Sequence, residues 1–301
     1  MKCRIINKRM FEQSIELFSP SISNKVNKYP LIIYIGGTAW LGYIPIIYRI
    51  ADYWNKRIIN RLVNDGYSCI ILRYRGKFFK SIDTKLMIGI LLFLFILNIN
   101  YFIICSLLFI YWKRCDYYSP SITDMESDLI NNIESCLLYN DNFIKKELNT
   151  NGEIIFIAYS AGAQILLSSL EKLNTKINKN IIKGIVIVSG VLKIPHEVNS
   201  LNKYSNKLSR VVLNTIFKEN LNKLFCPSRD FKNNKDFSFL IIRSVNEFLN
   251  IPIIENIGKR FFNSDEFIKN IKLKDIHYEN SNHWLILTNK NVIESIKKFI
   301  F

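Results

Sequence analysis

An α/β fold, with a mostly parallel sheet flanked by helices, is what the order of apolar runs in this chain predicts. Three observations carry that reading. Short, continuous apolar runs alternate with longer stretches of helical spacing. The runs lack the apolar–polar alternation of a half-wet sheet, so both faces must be covered. Gly36 with Gly37, Ser160 and Glu247 each directly follow such a run. That is where open parallel sheets hold ligands, outside the carboxyl ends of their strands.

The elements follow in order. Residues 30–37, PLIIYIGG, form a buried strand ending in two glycines, a strand followed by a tight turn. Residues 46–64 have helical spacing and stop at Asp65 and Gly66. Residues 67–74, YSCIILRY, are a second buried strand. Residues 124–147 are mostly helical, 153–159 a strand, 161–173 a helix and 182–188 a strand. Residues 238–242 supply a fifth strand, and 291–301 a closing amphipathic helix. Residues 28–301 thus read as one catalytic domain, preceded by an N-terminal segment, 1–27, too charged for a signal peptide.

Composition narrows the class. The 301 residues are 49% hydrophobic, enough to bury a large core. The net charge of +16 is spread through a chain rich in Lys, Asn and Ile, with no dense basic block and no nucleic-acid motif. That pattern argues against a nucleic-acid partner and fits attraction to acidic lipid headgroups. Six cysteines without a CxxC pair read as free thiols in a reducing compartment.

Residues 86–112 do not fit a soluble α/β domain. They run for 27 residues without a charge, a membrane candidate by length. A single crossing would put strands of one sheet on opposite sides of a bilayer. The expectation is therefore a re-entrant membrane hairpin turning near Asn98 and Asn100. Each arm of about 13 residues spans roughly 20 Å as a helix, short of the ~30 Å hydrocarbon core. Lys77, Lys80 and Lys85 before it, and Lys113 and Arg114 after it, place both ends on the cytosolic face. Tyr111 and Trp112 suit the interface.

The candidate chemistry centres on AYSAG. A serine hydroxyl is a weak nucleophile that needs a base and oxyanion donors. A sharp strand–turn–helix would lift Ser160 out of the sheet, and the crowded turn calls for small neighbours, here Ala158 and Gly162. Two glycines at the end of the first strand let a backbone amide approach an oxygen, and the amide of Ala161 supplies a second donor. Among His196, His277 and His283, the last stands nearest the C-terminus, as the Ser–acid–His order requires; His277 is its rival. Glu247, in the turn after the fifth strand, is the candidate acid, with Asp230 and Asp236 as alternatives.

With these residues in view, the chain resembles the α/β-hydrolase esterases. PLIIYIGGTAWLGY, CIILRYR, SITDMESDLINNIE, IFIAYSAGAQI and NHWLIL follow in that order, and within the group they most resemble the prenylcysteine methylesterase-like members. The resemblance covers roughly residues 28–300. It implies Ser160 as nucleophile, Glu247 as acid and His283 as base, with Gly36, Gly37, Thr38 and Ala161 as oxyanion donors. It also implies an S-prenylcysteine methyl ester substrate; a different lipid ester or lysolipid is equally compatible with the serine chemistry, which needs no metal or organic cofactor. Three departures stand out: Thr38 follows the glycines, Ala158 opens the elbow, and the apolar segment replaces a short loop after Tyr74 and Arg75. The expectation is a membrane-associated serine carboxylesterase with a cytosolic catalytic domain on the endoplasmic reticulum or Golgi membrane. The alternatives are an inactive hydrolase-fold membrane protein, and a formamidase or amidase on the same scaffold.

Overall fold

A computed structural model of the chain describes residues 2–10, 13–20, 29–37, 40, 45–76, 84–139, 150–173, 179–193, 224–232, 237–246 and 265–301. Eight strands form one sheet: β1 Lys2–Met10, β2 Gln13–Ser19, β3 Tyr29–Ile35, β4 Cys69–Arg73, β5 Thr150–Tyr159, β6 Ile182–Val188, β7 Ser238–Asn246 and β8 Lys272–Asn282. Their spatial order is β1-β2-β4-β3-β5-β6-β7-β8. The pairs β1/β2 and β2/β4 are antiparallel, and every other neighbouring pair is parallel. Within the N-terminal segment 1–27, residues 2–10 and 13–19 thus extend the sheet by two antiparallel strands. The strand β8 also lies beyond the five read from the sequence.

Each central strand faces two cores. Leu31, Ile33 and Ile35 of β3 join one cluster, and Ile32 and Tyr34 join the other. The first face is covered by α4, Ile122–Tyr139, and α5, Ala161–Leu173. The second is covered by α1, Pro45–Asn64, and the C-terminal α6, Lys290–Ile300. This double coverage is why the parallel strands read as unbroken apolar runs.

Local chemistry sets the helix limits. The chain leaves α1 through Gly66 at φ 97°, with the Gly66 amide donating to Val63 and the Tyr67 amide to Leu62, a glycine-terminated exit. At the start of α4, the Ser121 hydroxyl accepts from the Asp124 amide and the Asp124 carboxylate accepts from the Ser121 amide, a reciprocal cap. Asn289 caps α6 by accepting from the Asn291 amide.

Polar pins fix α4 to the sheet. The Asp128 carboxylate takes the Arg75 guanidinium at 2.7 and 2.9 Å and the Arg75 amide at 3.1 Å. The Asn132 side chain donates to the Arg73 carbonyl. Glu126 accepts from Ser168 and Lys172 on α5. The acidic residues of SITDMESD are therefore a cap and two anchors. They orient α4 so that its N-terminal turns stand at the carboxyl ends of the strands.

Between β4 and α4 lie α2, Thr84–Leu97, and α3, Ile99–Tyr118. They pack on each other, with Phe95 and Phe102 in edge contact at 5.2 Å. The break falls at Asn98, whose side-chain oxygen accepts from the Asn100 amide at 2.8 Å. Among the described residues no helix is long and apolar enough to cross a membrane.

Candidate active site

The strand β5 ends at Tyr159, and the next residue, Ser160, turns into the left-handed region at φ 54° before α5 begins at Ala161. A non-glycine residue held there costs on the order of 1–3 kcal/mol and needs surrounding structure to fix it. That structure is present. The Ser160 amide donates to Val188 at 3.1 Å, and the Ser160 carbonyl accepts from Ala163 and Val191 at 3.1 and 2.9 Å. The side chain is thereby lifted off the end of the strand.

Close packing explains the small residues. A Cβ at Gly162 would lie 2.7 Å from the carbonyl oxygens of Ile35 and Gly36. A Cβ at Gly37 would lie 2.5 Å from Ser160 Cβ, 2.5 Å from the Tyr159 oxygen and 3.0 Å from the Ala161 nitrogen. The glycine turn after β3 and the serine turn after β5 therefore touch, backbone against backbone. Ala158 is fully buried in β5, paired with Ile35 and Ile187, so a methyl is accommodated where the commoner elbow has glycine.

The end of β3 is braced from both sides. The Tyr74 hydroxyl donates to the Gly36 carbonyl at 3.2 Å, and the Tyr34 hydroxyl donates to Asn55 at 2.8 Å, the side chain lying directly over Gly36. Burial pushes both phenols up from their ordinary range, so they act as neutral donors. Trp40, itself at φ 62°, donates its indole N–H to Gln164 at 2.7 Å, and Gln164 donates to the Phe225 carbonyl.

His283 follows β8 directly and is buried. Its Nε2 lies 3.0 Å from Ser160 Oγ, although 123 residues separate the two. Asn282 builds the turn that presents it, its side-chain oxygen accepting from the amides of Trp284 and Leu285 at 3.1 and 2.9 Å. Tyr159 holds the same turn from below. Its hydroxyl donates to the His283 carbonyl at 2.7 Å, and its ring lies 5.0 Å from the imidazole. Neither Tyr159 nor Asn282 was a sequence candidate.

The remaining candidates divide. The amide of Ala161 opens α5, where first-turn donors have no intrahelical acceptor. His277 is engaged elsewhere on β8, 2.9 Å from Glu279. That bond is the main cause holding the Glu279 carboxyl below its ordinary range. Asp230 binds Arg229 and the Cys226 amide. Thr38, His196, Asp236 and Glu247 lie outside the described residues. Asn246, the residue before Glu247, pairs with Asn282, the residue before His283. Among the described residues no group of His, Cys, Asp and Glu could hold a metal ion.

No family model matches the sequence, and no curated protein matches it. Solved structures do. Carboxyl esterase 2 from the mycorrhizal fungus Tuber melanosporum superposes with a TM-score of 0.58 at 14% identity, over 99% of this chain and 86% of that one. A fungal esterase from Rhizomucor miehei gives 0.58 at 11%, over 99% and 81%. A thermophilic esterase from Thermogutta terrifontis gives 0.53 at 10%, over 99% and 93%. At these identities the likeness establishes the fold, and the fold is that of the α/β-hydrolases.

Proposed function

We propose that this chain is a serine hydrolase of carboxylic esters. The observation that carries the reading is the 3.0 Å contact between His283 Nε2 and Ser160 Oγ, made at a serine held at positive φ. The esterase names of the structural neighbours support it.

In this reading Ser160 Oγ attacks the ester carbonyl carbon as its proton passes to His283 Nε2. The amides of Ala161 and of the Gly36, Gly37 and Thr38 turn hold the oxyanion; such a donor is worth about 10²–10³ in turnover. The tetrahedral intermediate collapses, His283 returns the proton to the departing alkoxide, and an acyl-Ser160 ester remains. Water, deprotonated by His283, then releases the acid and restores the hydroxyl. Glu247 orients the imidazole and stabilises it once charged. Its support is the pairing of Asn246, the residue before it, with Asn282, the residue before His283.

The substrate in this proposal is a lipidated or lipid ester, of the prenylcysteine methyl ester type. The enzyme works at a membrane, with its catalytic domain on the cytosolic face of the endoplasmic reticulum or Golgi. The apolar segment 86–112 and its basic flanks support the membrane part, and the motif resemblance supports the substrate.

Ser160→Ala is the test. It is expected to abolish hydrolysis of p-nitrophenyl butyrate by the purified protein. Hydrolysis at the wild-type rate would end the proposal.

A further inference from the structure

We infer that the α2–α3 pair is an anionic-lipid-binding finger that seats the catalytic rim itself on the bilayer, so that ester enters from the lipid side. The catalytic half of this inference rests on the ester-hydrolase reading; the binding half does not.

Two sets of observations meet here. The first is the covering that the pair lacks. Fifteen of the 22 large apolar side chains exposed among the described residues lie from Leu86 to Tyr111. Phe93, Ile96, Leu107 and Ile110 are each at least 60% exposed. Apolar residues run around all sides of both helices, which is the pattern of a helix surrounded by core or lipid. Exposed apolar patches on soluble monomers rarely exceed a few hundred Å². The charge at the base selects lipid over a second copy of the chain: Lys85, Lys113 and Arg114 sit where the apolar stretch begins and ends, with Lys77 and Lys80 just upstream, against two acids, Asp83 and Asp116. Identical basic collars would repel one another, whereas an anionic headgroup layer complements them. The apolar arms, 86–97 and 99–112, reach about 18 and 21 Å as helices, enough to fill one leaflet.

The second set locates the base of the finger. In chain order the finger follows the carboxyl end of β4, where the Tyr74 hydroxyl binds the Gly36 carbonyl. At the other end, α3 stops at Tyr118, and α4 starts at Ile122. Asp128 of α4 lies level with Arg75, and Asn132 lies level with Arg73, so α4 runs down from the rim. The α3 foot of the finger thus rises from the edge that carries Gly37 and Ser160, and α2 packs beside α3.

The experiment uses the full chain and vesicles of phosphatidylcholine with or without 30% phosphatidylserine. Three proteins are compared: wild type, Phe93→Asp/Ile104→Asp, and Lys85→Gln/Lys113→Gln/Arg114→Gln. Flotation reads binding, and turnover is read on p-nitrophenyl butyrate in solution and on a long-chain ester embedded in the vesicles. Wild type is expected to float with anionic vesicles, less so at high salt. The apolar variant should lose flotation at least tenfold. The charge variant should lose on the order of 10²-fold on anionic vesicles, at about fivefold per basic residue. Both should keep soluble-ester turnover while losing embedded-ester turnover in proportion to binding. Wild type that stays off the vesicles, or that dimerises through this face, overturns the inference. So does a non-floating variant that still consumes embedded ester at the wild-type rate. Loss of both turnovers in wild type would instead reject the ester-hydrolase reading, and flotation would still decide the finger.

Discussion

Replacing Gly37 with alanine is expected to lower kcat about 10²-fold with a modest loss of stability. The new methyl would sit 2.5 Å from Ser160 Cβ and from the Tyr159 oxygen, and 3.0 Å from the Ala161 nitrogen. Carbon atoms in contact settle at about 3.5 Å or more, so the two turns must part by roughly 1 Å. None of the three obstructing atoms is the end of a flexible side chain. The parting therefore displaces an amide proposed as an oxyanion donor from the serine that attacks the carbonyl. A 1 Å misplacement near reacting atoms costs about 10²-fold, or ~2.7 kcal/mol of barrier. Gly36→Ala is the control. Its methyl meets the end of the Asn55 side chain, which can swing away, so stability should fall with kcat within about tenfold of wild type. The assay is steady-state hydrolysis of p-nitrophenyl butyrate, with thermal melts in parallel. A Gly37→Ala protein with unchanged kcat and unchanged melting temperature would refute the reasoning.

Three further outcomes follow from the same geometry. Tyr159→Phe removes the hydroxyl that holds the His283 carbonyl; kcat should fall about tenfold with KM unchanged, corresponding to a bond worth about 1 kcal/mol. Ser160→Gly and Ser160→Ala should both be inactive, but the glycine form should melt higher, because only alanine retains the cost of φ 54°; equal melting would mean that the serine turn is unstrained. Glu279, held below its ordinary carboxyl value chiefly by His277, contributes stability that is present above that ordinary value and lost as pH falls through the lowered one. Glu279→Gln should therefore melt below wild type at neutral pH, and the gap should narrow as the pH is lowered through the carboxylate range; a gap independent of pH would contradict the pairing.

The legibility of this fold depends on which strands are buried on both faces. The strands β3 to β7 announce themselves as unbroken apolar runs because helices cover them on both sides. The edges do not. KCRIINKRM of β1 reads as part of a charged segment ahead of the domain, yet it pairs along its length with β2. KLKDIHYENSN of β8 alternates charged and apolar residues and lies at the opposite edge. Charge on an edge strand blocks further pairing and at the same time hides the strand from an apolar-run reading. The site divides in a similar way. Ser160 and His283 were legible from residue type, small neighbours and chain order. Tyr159 and Asn282 were not, because what they do depends on which turn lies opposite them after folding. Glu279 engages His277, the rival histidine, through a contact two residues apart that a strand geometry makes available.

The central claim is that Ser160 is an activated nucleophile, and covalent labelling measures that property directly. The folded wild-type protein should react with a fluorophosphonate probe. Peptide mass spectrometry should find the phosphonyl adduct on Ser160, and His283→Ala should remove it without altering the melting temperature. A folded wild-type protein that takes up no probe at Ser160, or a His283→Ala variant that labels as fast as wild type, would contradict the account.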